Sequence, residues 1–165
     1  MFVNANDLNI STLSQMPGFS LAIFNYQKDI GLVLQDGSEK YVVFLTKLNM
    51  GAFEGFECTG NEHWKGVFIS GIEIEVDLPS LEFDNRYALG CLRTSQGKLS
   101  LMARIKKEGY TEGQSILISD KVGDAAVEVN IPNWRIVKRV GKDVSVLVSV
   151  KGGVADLSEL IPDSE

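Results

Sequence analysis

From Phe19 to Val150 the chain repeats one pattern: a short apolar or alternating run, a turn that usually contains glycine, and another run. Side chains on a strand alternate between two faces, so these runs read as strands, and glycine supplies the positive φ that tight turns need. Asp36-Gly37, between residues 30–34 and 41–45, predicts a type I′ hairpin. Three further hairpins are expected. Ser95-Gln96-Gly97 joins 87–93 to 99–106, Val122-Gly123-Asp124 joins 114–119 to 126–131, and Gly141-Lys142-Asp143 joins 134–140 to 144–150. Residues 64–78 read as one long strand interrupted near Gly71 by a bulge or bend. Residues 51–60, with Phe53, Phe56 and Cys58, read as a strand with loops or as an irregular covering segment.

No interval between these runs holds the amphipathic helix that a βαβ unit requires. The expected fold is therefore all-β and mainly antiparallel. It is a β-sandwich or barrel of roughly 9–11 strands joined largely by hairpins, with short helical turns at the termini. Residues 19–150 form the single β domain. Residues 1–18 read as an N-terminal arm or a short helix, capped by Asp7, carrying Leu8, Leu13 and Met16, and ended by Pro17-Gly18. Residues 151–165 read as a C-terminal helical turn followed by a frayed acidic tail.

A chain of 165 residues that is 44% hydrophobic and 23% charged has enough apolar surface for its own core. Its net charge of −6 repels phosphate backbones, so no nucleic-acid partner is expected. The first residues lack the basic and apolar regions of a secretory signal, and no apolar run is long enough for a bilayer. The expectation is a cytoplasmic protein without membrane contact, with Cys58 and Cys91 as free thiols; sequence spacing does not decide whether they meet.

Three groups of residues could carry chemistry. In the stretch 72–78, Glu73, Glu75 and Asp77 alternate with Ile72, Ile74, Val76 and Leu78, so the carboxylates share one strand face. Same-face neighbours lie roughly 7 Å apart, too far for one strand to enclose a calcium ion. The plainer reading is a solvated face paired across the ladder with Arg93, Arg104 or Lys106, or a surface for a basic partner. The second group is Cys58, Glu62, His63 and Trp64. His63 is the only histidine, so any histidine-based catalysis must use it, and two cysteines with one histidine fall short of a structural zinc site. The third is the basic stretch 134–142. There Arg135, Val137 and Arg139 share one face and Trp134, Ile136, Lys138 and Val140 the other. Two arginines on one face could clamp a carboxylate or phosphate, or simply pair with the acidic row.

Phosphate-binding glycine loops, dinucleotide fingerprints and the nucleophile elbow are missing, so no cofactor and no metal are expected. The residues lean away from an enzyme. Strands 21–24, 41–45 and, through Leu147, 144–150 are apolar on both faces and need a second cover. The terminal segments or a second subunit would supply it. The leading expectation is a non-enzymatic β domain that binds a protein partner or forms a homo-oligomer. The alternative is an enzyme or small-ligand-binding protein with a pocket in the β scaffold. Under either, the candidate contacts are Glu73, Glu75, Asp77, His63, Trp64, Arg135 and Arg139.

Overall fold

The structure, a computed structural model, describes residues 4–25, 29–45, 53–83, 88–124, 127–158 and 160. Within them the chain forms fourteen strands: β1 Leu8–Thr12, β2 Ser20–Phe24, β3 Ile30–Asp36, β4 Glu39–Phe44, β5 Glu54–Glu57, β6 Lys65–Ile69, β7 Ile72–Val76, β8 Leu92–Ser95, β9 Lys98–Lys107, β10 Tyr110–Ser119, β11 Val129–Ile131, β12 Asn133–Val140, β13 Asp143–Lys151 and β14 Val154–Asp156. Fourteen exceeds the expected nine to eleven because the short strands β1 and β14 at the two ends escape a pattern search and residues 64–78 make two strands, β6 and β7. They assemble into two sheets rather than a closed barrel. The ten-stranded sheet runs β1-β6-β2-β3-β4-β5-β9-β8-β11, with β10 beside β9, and the four-stranded sheet runs β14-β13-β12-β7.

Pairing is antiparallel except between β5 and β9. Along β9, residues 98–101 pair with β8 and residues 104–106 with β5, so these two share one edge while β10 takes the other. The large sheet curls until β10 approaches β3 and β4. Leu117 N donates to Asp36 Oδ2 at 3.2 Å, and Gln114 Nε2 donates to the Tyr41 hydroxyl at 3.2 Å. These bonds use side chains, not a ladder, which is why the sheet curls without closing.

The break expected near Gly71 is a change of sheet. β6 belongs to the large sheet and β7 to the small one, and Gly71 between them has φ +67°. A Cβ at Gly71 would sit 2.7 Å from Lys138 Nζ, which donates to the Ser70 carbonyl at 2.6 Å. The corner is therefore pinned from β12.

The main core lies between the sheets. Leu21, Leu32, Val43, Leu101 and Ile105 from the large sheet meet Ile72, Trp134, Ile136, Val148 and Val150 from the small one. Trp134 is buried, packs on Phe53 at 6.5 Å between ring centroids, and donates Nε1–H to the Gly90 carbonyl at 2.9 Å. Gly90 tolerates no side chain there, because a Cβ would meet the Phe53 ring at 2.5 Å.

A second core lies on the opposite face of β2, β3 and β4. Ala22, Phe24, Val33, Val42 and Phe44, joined on that face by Phe68 of the adjacent β6 and by Cys58 after β5, are covered by Leu13 and Met16, with Phe56 and Trp64 at the margin. Leu13 N donates to the Trp64 carbonyl at 2.7 Å, and Lys40 Nζ donates to the Ser14 carbonyl at 3.0 Å, fixing the cover in place. The apolar second face expected of strands 21–24 and 41–45 is thus closed by this chain itself. The double-faced look of 144–150 has another cause. The β12–β13 register shifts between Ile136 and Val137, so Val148 opposes Ile136, Val146 opposes Val137, and Leu147 is the extra residue. Leu147 and Val148 are both buried as a result.

Several local expectations are corrected. Residues 114–119 do form a strand, but β10 pairs with β9 through a turn at Glu108-Gly109, while β11 pairs with β8; no hairpin joins 114–119 to 129–131. The pairing Asp36↔Glu39 puts Gly37 and Ser38 at the tip of the first hairpin. Only Gly37 has positive φ, which is the II′ pattern and not I′. At the N-terminus Ala5–Asp7 and Leu13–Gln15 make single 3₁₀ turns on either side of β1, so no helix spans the arm. The expected C-terminal helical turn is instead β14 over its first residues, because Gly152-Gly153, at φ +57° and +79°, turns the chain back onto β13. Tyr87, Ala126 and the acidic tail 161–165 lie outside the described residues.

Candidate functional site

The acidic row and the basic stretch come together on adjacent strands. β7 pairs with β12 so that Glu75 opposes Arg135 and Glu73 opposes Val137. Opposed residues share a face, so Glu73, Glu75, Arg135, Val137 and Arg139 all stand on the outer side of the small sheet, away from the core. Arg135 Nε and Nη2 both reach Glu75 Oε1 at 2.7 Å. Arg139 Nε donates to Glu73 Oε2 at 3.0 Å, and its Nη2 donates to Glu75 Oε2 at 2.6 Å. The four side chains form a continuous Glu73–Arg139–Glu75–Arg135 lattice. Val137 is 0% exposed on this outer face, so the aliphatic stems of its charged neighbours lie over it.

Of the partners expected for the acidic row, Arg135 and Arg139 are found on it, whereas Arg93, Arg104 and Lys106 are engaged elsewhere or absent from it. Arg93 pairs with Glu128 at 3.1 Å and Lys106 with Glu54 at 3.7 Å, while Arg104 stands opposite Glu54 and Gly113 in the other sheet. Strand alternation gives the faces of residues 72–78; only the fold assigns β12 as the neighbour.

Asp77 continues the row past the end of β7. Its N–H donates to the Asn133 carbonyl at 3.0 Å and its carbonyl accepts the Ser80 hydroxyl at 2.7 Å. Together with Glu75, Arg135, Asn133, Ser149 and Lys151 it lines an open groove of about 800 Å³ across β7, β12 and β13. Asn133, Ser149 and Lys151 were not singled out in the sequence. Asn133 and Lys151 flank the 134–150 hairpin symmetrically and are opposed in the ladder, so counting outward from the Gly141-Lys142 turn comes close to finding them. The extra residue at Leu147 spoils the count by one.

His63 and Trp64 lie elsewhere. Trp64 contributes to the second core, stacking edge-on to Phe24 at 6.0 Å and Phe56 at 5.5 Å. His63 is exposed on the turn before β6, and beside it Glu62 is held below the usual carboxylate range by the backbone N–H of Gly60 and its own N–H. Of the seven candidate residues, Glu73, Glu75, Asp77, Arg135 and Arg139 therefore share one face, and His63 and Trp64 belong to another region.

Cys58 and Cys91 are free and buried. Burial raises both thiols above their ordinary value of 9.0; at Cys58 the ammonium of Lys40 opposes the rise, and at Cys91 Glu82 adds to it. A buried thiol held protonated is a poor nucleophile. Among the described residues no three His, Cys, Asp or Glu side chains are placed to hold a metal ion, and no helix is long and apolar enough to cross a membrane.

The fold and this surface define a two-sheet antiparallel β domain with an open, ion-paired outer face on its smaller sheet. The model of the family described as "Y4lG: Uncharacterised protein y4lG" matches residues 10–155, and the chain belongs to that family. No curated protein and no solved structure matches it.

Proposed function

We propose that this chain is a non-enzymatic binding domain that associates through the outer face of the four-stranded sheet, with a second copy of itself as the occupant. The observation that supports this reading is a contrast in cover. The second face of β2–β4 is sealed by Leu13 and Met16 with Trp64 at the margin, whereas Glu73, Arg135, Arg139, Val144 and Val154 on the outer face of the small sheet are all exposed. Exposed Val144 and Val154 stand on that open face beside the Glu–Arg lattice, a mixture of apolar and paired polar groups typical of non-obligate interfaces. The face is also electrostatically self-complementary. Two glutamates and two arginines let a two-fold-related copy exchange partners, Glu73 and Glu75 of one with Arg135 and Arg139 of the other.

Sedimentation over a wide range of protein concentration tests the reading. The expected result is a concentration-dependent dimer that Val144→Asp disrupts without unfolding the monomer. A strict monomer at every concentration overturns the self-association.

A second reading rests on the groove itself. Glu75, Asp77, Arg135, Asn133 and Lys151 present both charges and an amide across about 800 Å³, the size range of small-ligand sites. A zwitterionic small molecule is the chemistry that such a lining suits. Asp77→Asn and Lys151→Gln would each weaken that ligand while leaving sedimentation unchanged, which separates the two readings.

A further inference from the structure

Arg135 and Arg139 spend their Nε and Nη2 donors on glutamates, whereas another cavity gathers two cationic donors without a partner among the described residues, the Lys98 ammonium and the Nε of Arg93. It measures about 370 Å³, opens to solvent, and is lined by Arg93, Ser95, Gln96, Lys98, Ser100 and Ser115. The ladder explains the grouping. Arg93 opposes Ser100 and Ser95 opposes Lys98 across β8 and β9, while Ser115 on β10 opposes Met102, two residues along the same face from Ser100. Leu99, Leu101 and Ala103 take the other face and pack into the main core.

Arg93 is held in place from one side only. Its Nη2 pairs with Glu128 Oε2 at 3.1 Å, and Ser95 Oγ donates to Glu128 Oε1 at 3.4 Å. Arg93 Nε is shielded from solvent and has no hydrogen-bond partner among the described residues. A guanidinium N–H in that condition is costly to keep, so a shift of the Arg93 side chain that brought Nε to a ligand acceptor would gain more than the same contact at a solvated arginine. Lys98 is exposed and joins no ion pair among the described residues. No carboxylate lines the cavity itself. The turn that carries Gln96 is fixed: Val122 N donates to the Gly97 carbonyl at 2.9 Å, and Gln96 itself is held at φ +54°, a conformation uncommon for a residue with a side chain.

We propose that this cavity is an oxyanion site that takes a phosphoryl group, either inorganic phosphate or a small phosphate monoester. The Lys98 ammonium, the remaining donors of the Arg93 guanidinium, the Gln96 carboxamide and the Ser100 hydroxyl line it from two strands and a turn, and the Ser95 and Ser115 hydroxyls, which donate to Glu128 Oε1 at 3.4 Å and Met102 Sδ at 3.3 Å, join them only by rotating away from those acceptors. They offer more donors, in more directions, than the two coplanar oxygens of a carboxylate can accept, and a tetrahedral anion can use them. The overall charge of −6 opposes long-range approach, but beyond about 8 Å it is screened at physiological salt, and within that distance the local cations decide. The site is on the large sheet and does not depend on the association proposed for the small one.

The test is an amide chemical-shift titration of the full chain at constant ionic strength with inorganic phosphate, phenyl phosphate and acetate. Saturable shifts are expected at the amides of 93–100 and 115 with either phosphate compound. Tighter binding of phenyl phosphate identifies a monoester site, and equal or tighter binding of inorganic phosphate identifies a site for the free anion. Lys98→Gln, at an exposed position, is expected to weaken binding about tenfold with an unchanged melting temperature. Arg93→Lys keeps the charge but loses the planar fork and is expected to weaken it as well. Absence of saturable shifts, shifts that acetate reproduces equally, shifts centred on Arg135 and Arg139, or full affinity in Lys98→Gln would each overturn the proposal.

Discussion

On the large sheet, Phe24, Val33, Val42 and Phe44 lie under Leu13, Met16 and Trp64, all supplied by the same chain. On the small sheet, Val137 is just as deeply buried, yet no described segment crosses above it; it stands among two glutamates and two arginines, whose aliphatic stems are its cover on that face. One face is sealed by apolar packing and the other by charged side chains that keep contact with water. Apolar residues on a second strand face therefore do not by themselves announce a partner. The informative face is the one whose cover is polar and removable.

The two faces should respond to damage on different scales. Phe44→Ala removes a ring that meets Phe24 at 5.7 Å, Phe56 at 5.8 Å and Trp64 at 6.0 Å. It should cost about 3–5 kcal/mol in urea unfolding. If it costs no more than trimming the lattice, the comparison fails. Leu13→Ala, which opens the cover while leaving the strands intact, should cost about 2–5 kcal/mol. Cys58 belongs to the same cluster, so its rate of thiol labelling in the folded protein should rise in that variant and not in an Arg139 variant.

Alkaline pH probes the apolar cover another way. The folded Cys58 and Cys91 thiols ionise above the unfolded value of 9.0, so between that value and their raised folded values the unfolded chain binds fewer protons. Stability from this source is complete below pH 9.0 and falls as pH rises through the folded values. Denaturation curves of the wild type and a Cys58→Ala variant should therefore converge as the pH is raised. A difference that stays flat with pH would remove burial as the cause. The smallest effect is expected on the lattice: Arg139→Met, which keeps an apolar stem over Val137, should change stability by about 1 kcal/mol or less. A much larger loss would mean that the ion pairs, and not the stem, hold that face together.

How far the sequence speaks depends on whether a feature is local. Two-residue turns are local, so the hairpins at Gln96-Gly97 and Gly141-Lys142 follow from turn chemistry and alternation. The alternation of 72–76 likewise separates Glu73 and Glu75 from Ile72 and Ile74 before any fold is known. What escapes is pairing at long range. Residues 110–113 are exposed at the end of a long hairpin and carry no apolar alternation, so the start of β10 is silent and its partner is misassigned. The meeting of Arg93, Lys98 and Ser100 is half legible through the Gln96-Gly97 turn. Ser115 joins them only through the β9–β10 register.

The placement of β7 also has a consequence in time. Glu75 and Arg135 are 60 residues apart, so β7 leaves the ribosome well before its partner β12 exists. At about 5–20 residues per second, that wait lasts roughly 3–12 s. Throughout it, Ile72, Ile74 and Val76 form an unpaired strand able to join another nascent chain. Glu73 and Glu75 between them discourage such pairing, since two copies of this strand side by side would oppose like charges. The glutamates that finish the fold by capturing two arginines first act as guards, keeping a half-made chain from its neighbours until the right strand arrives.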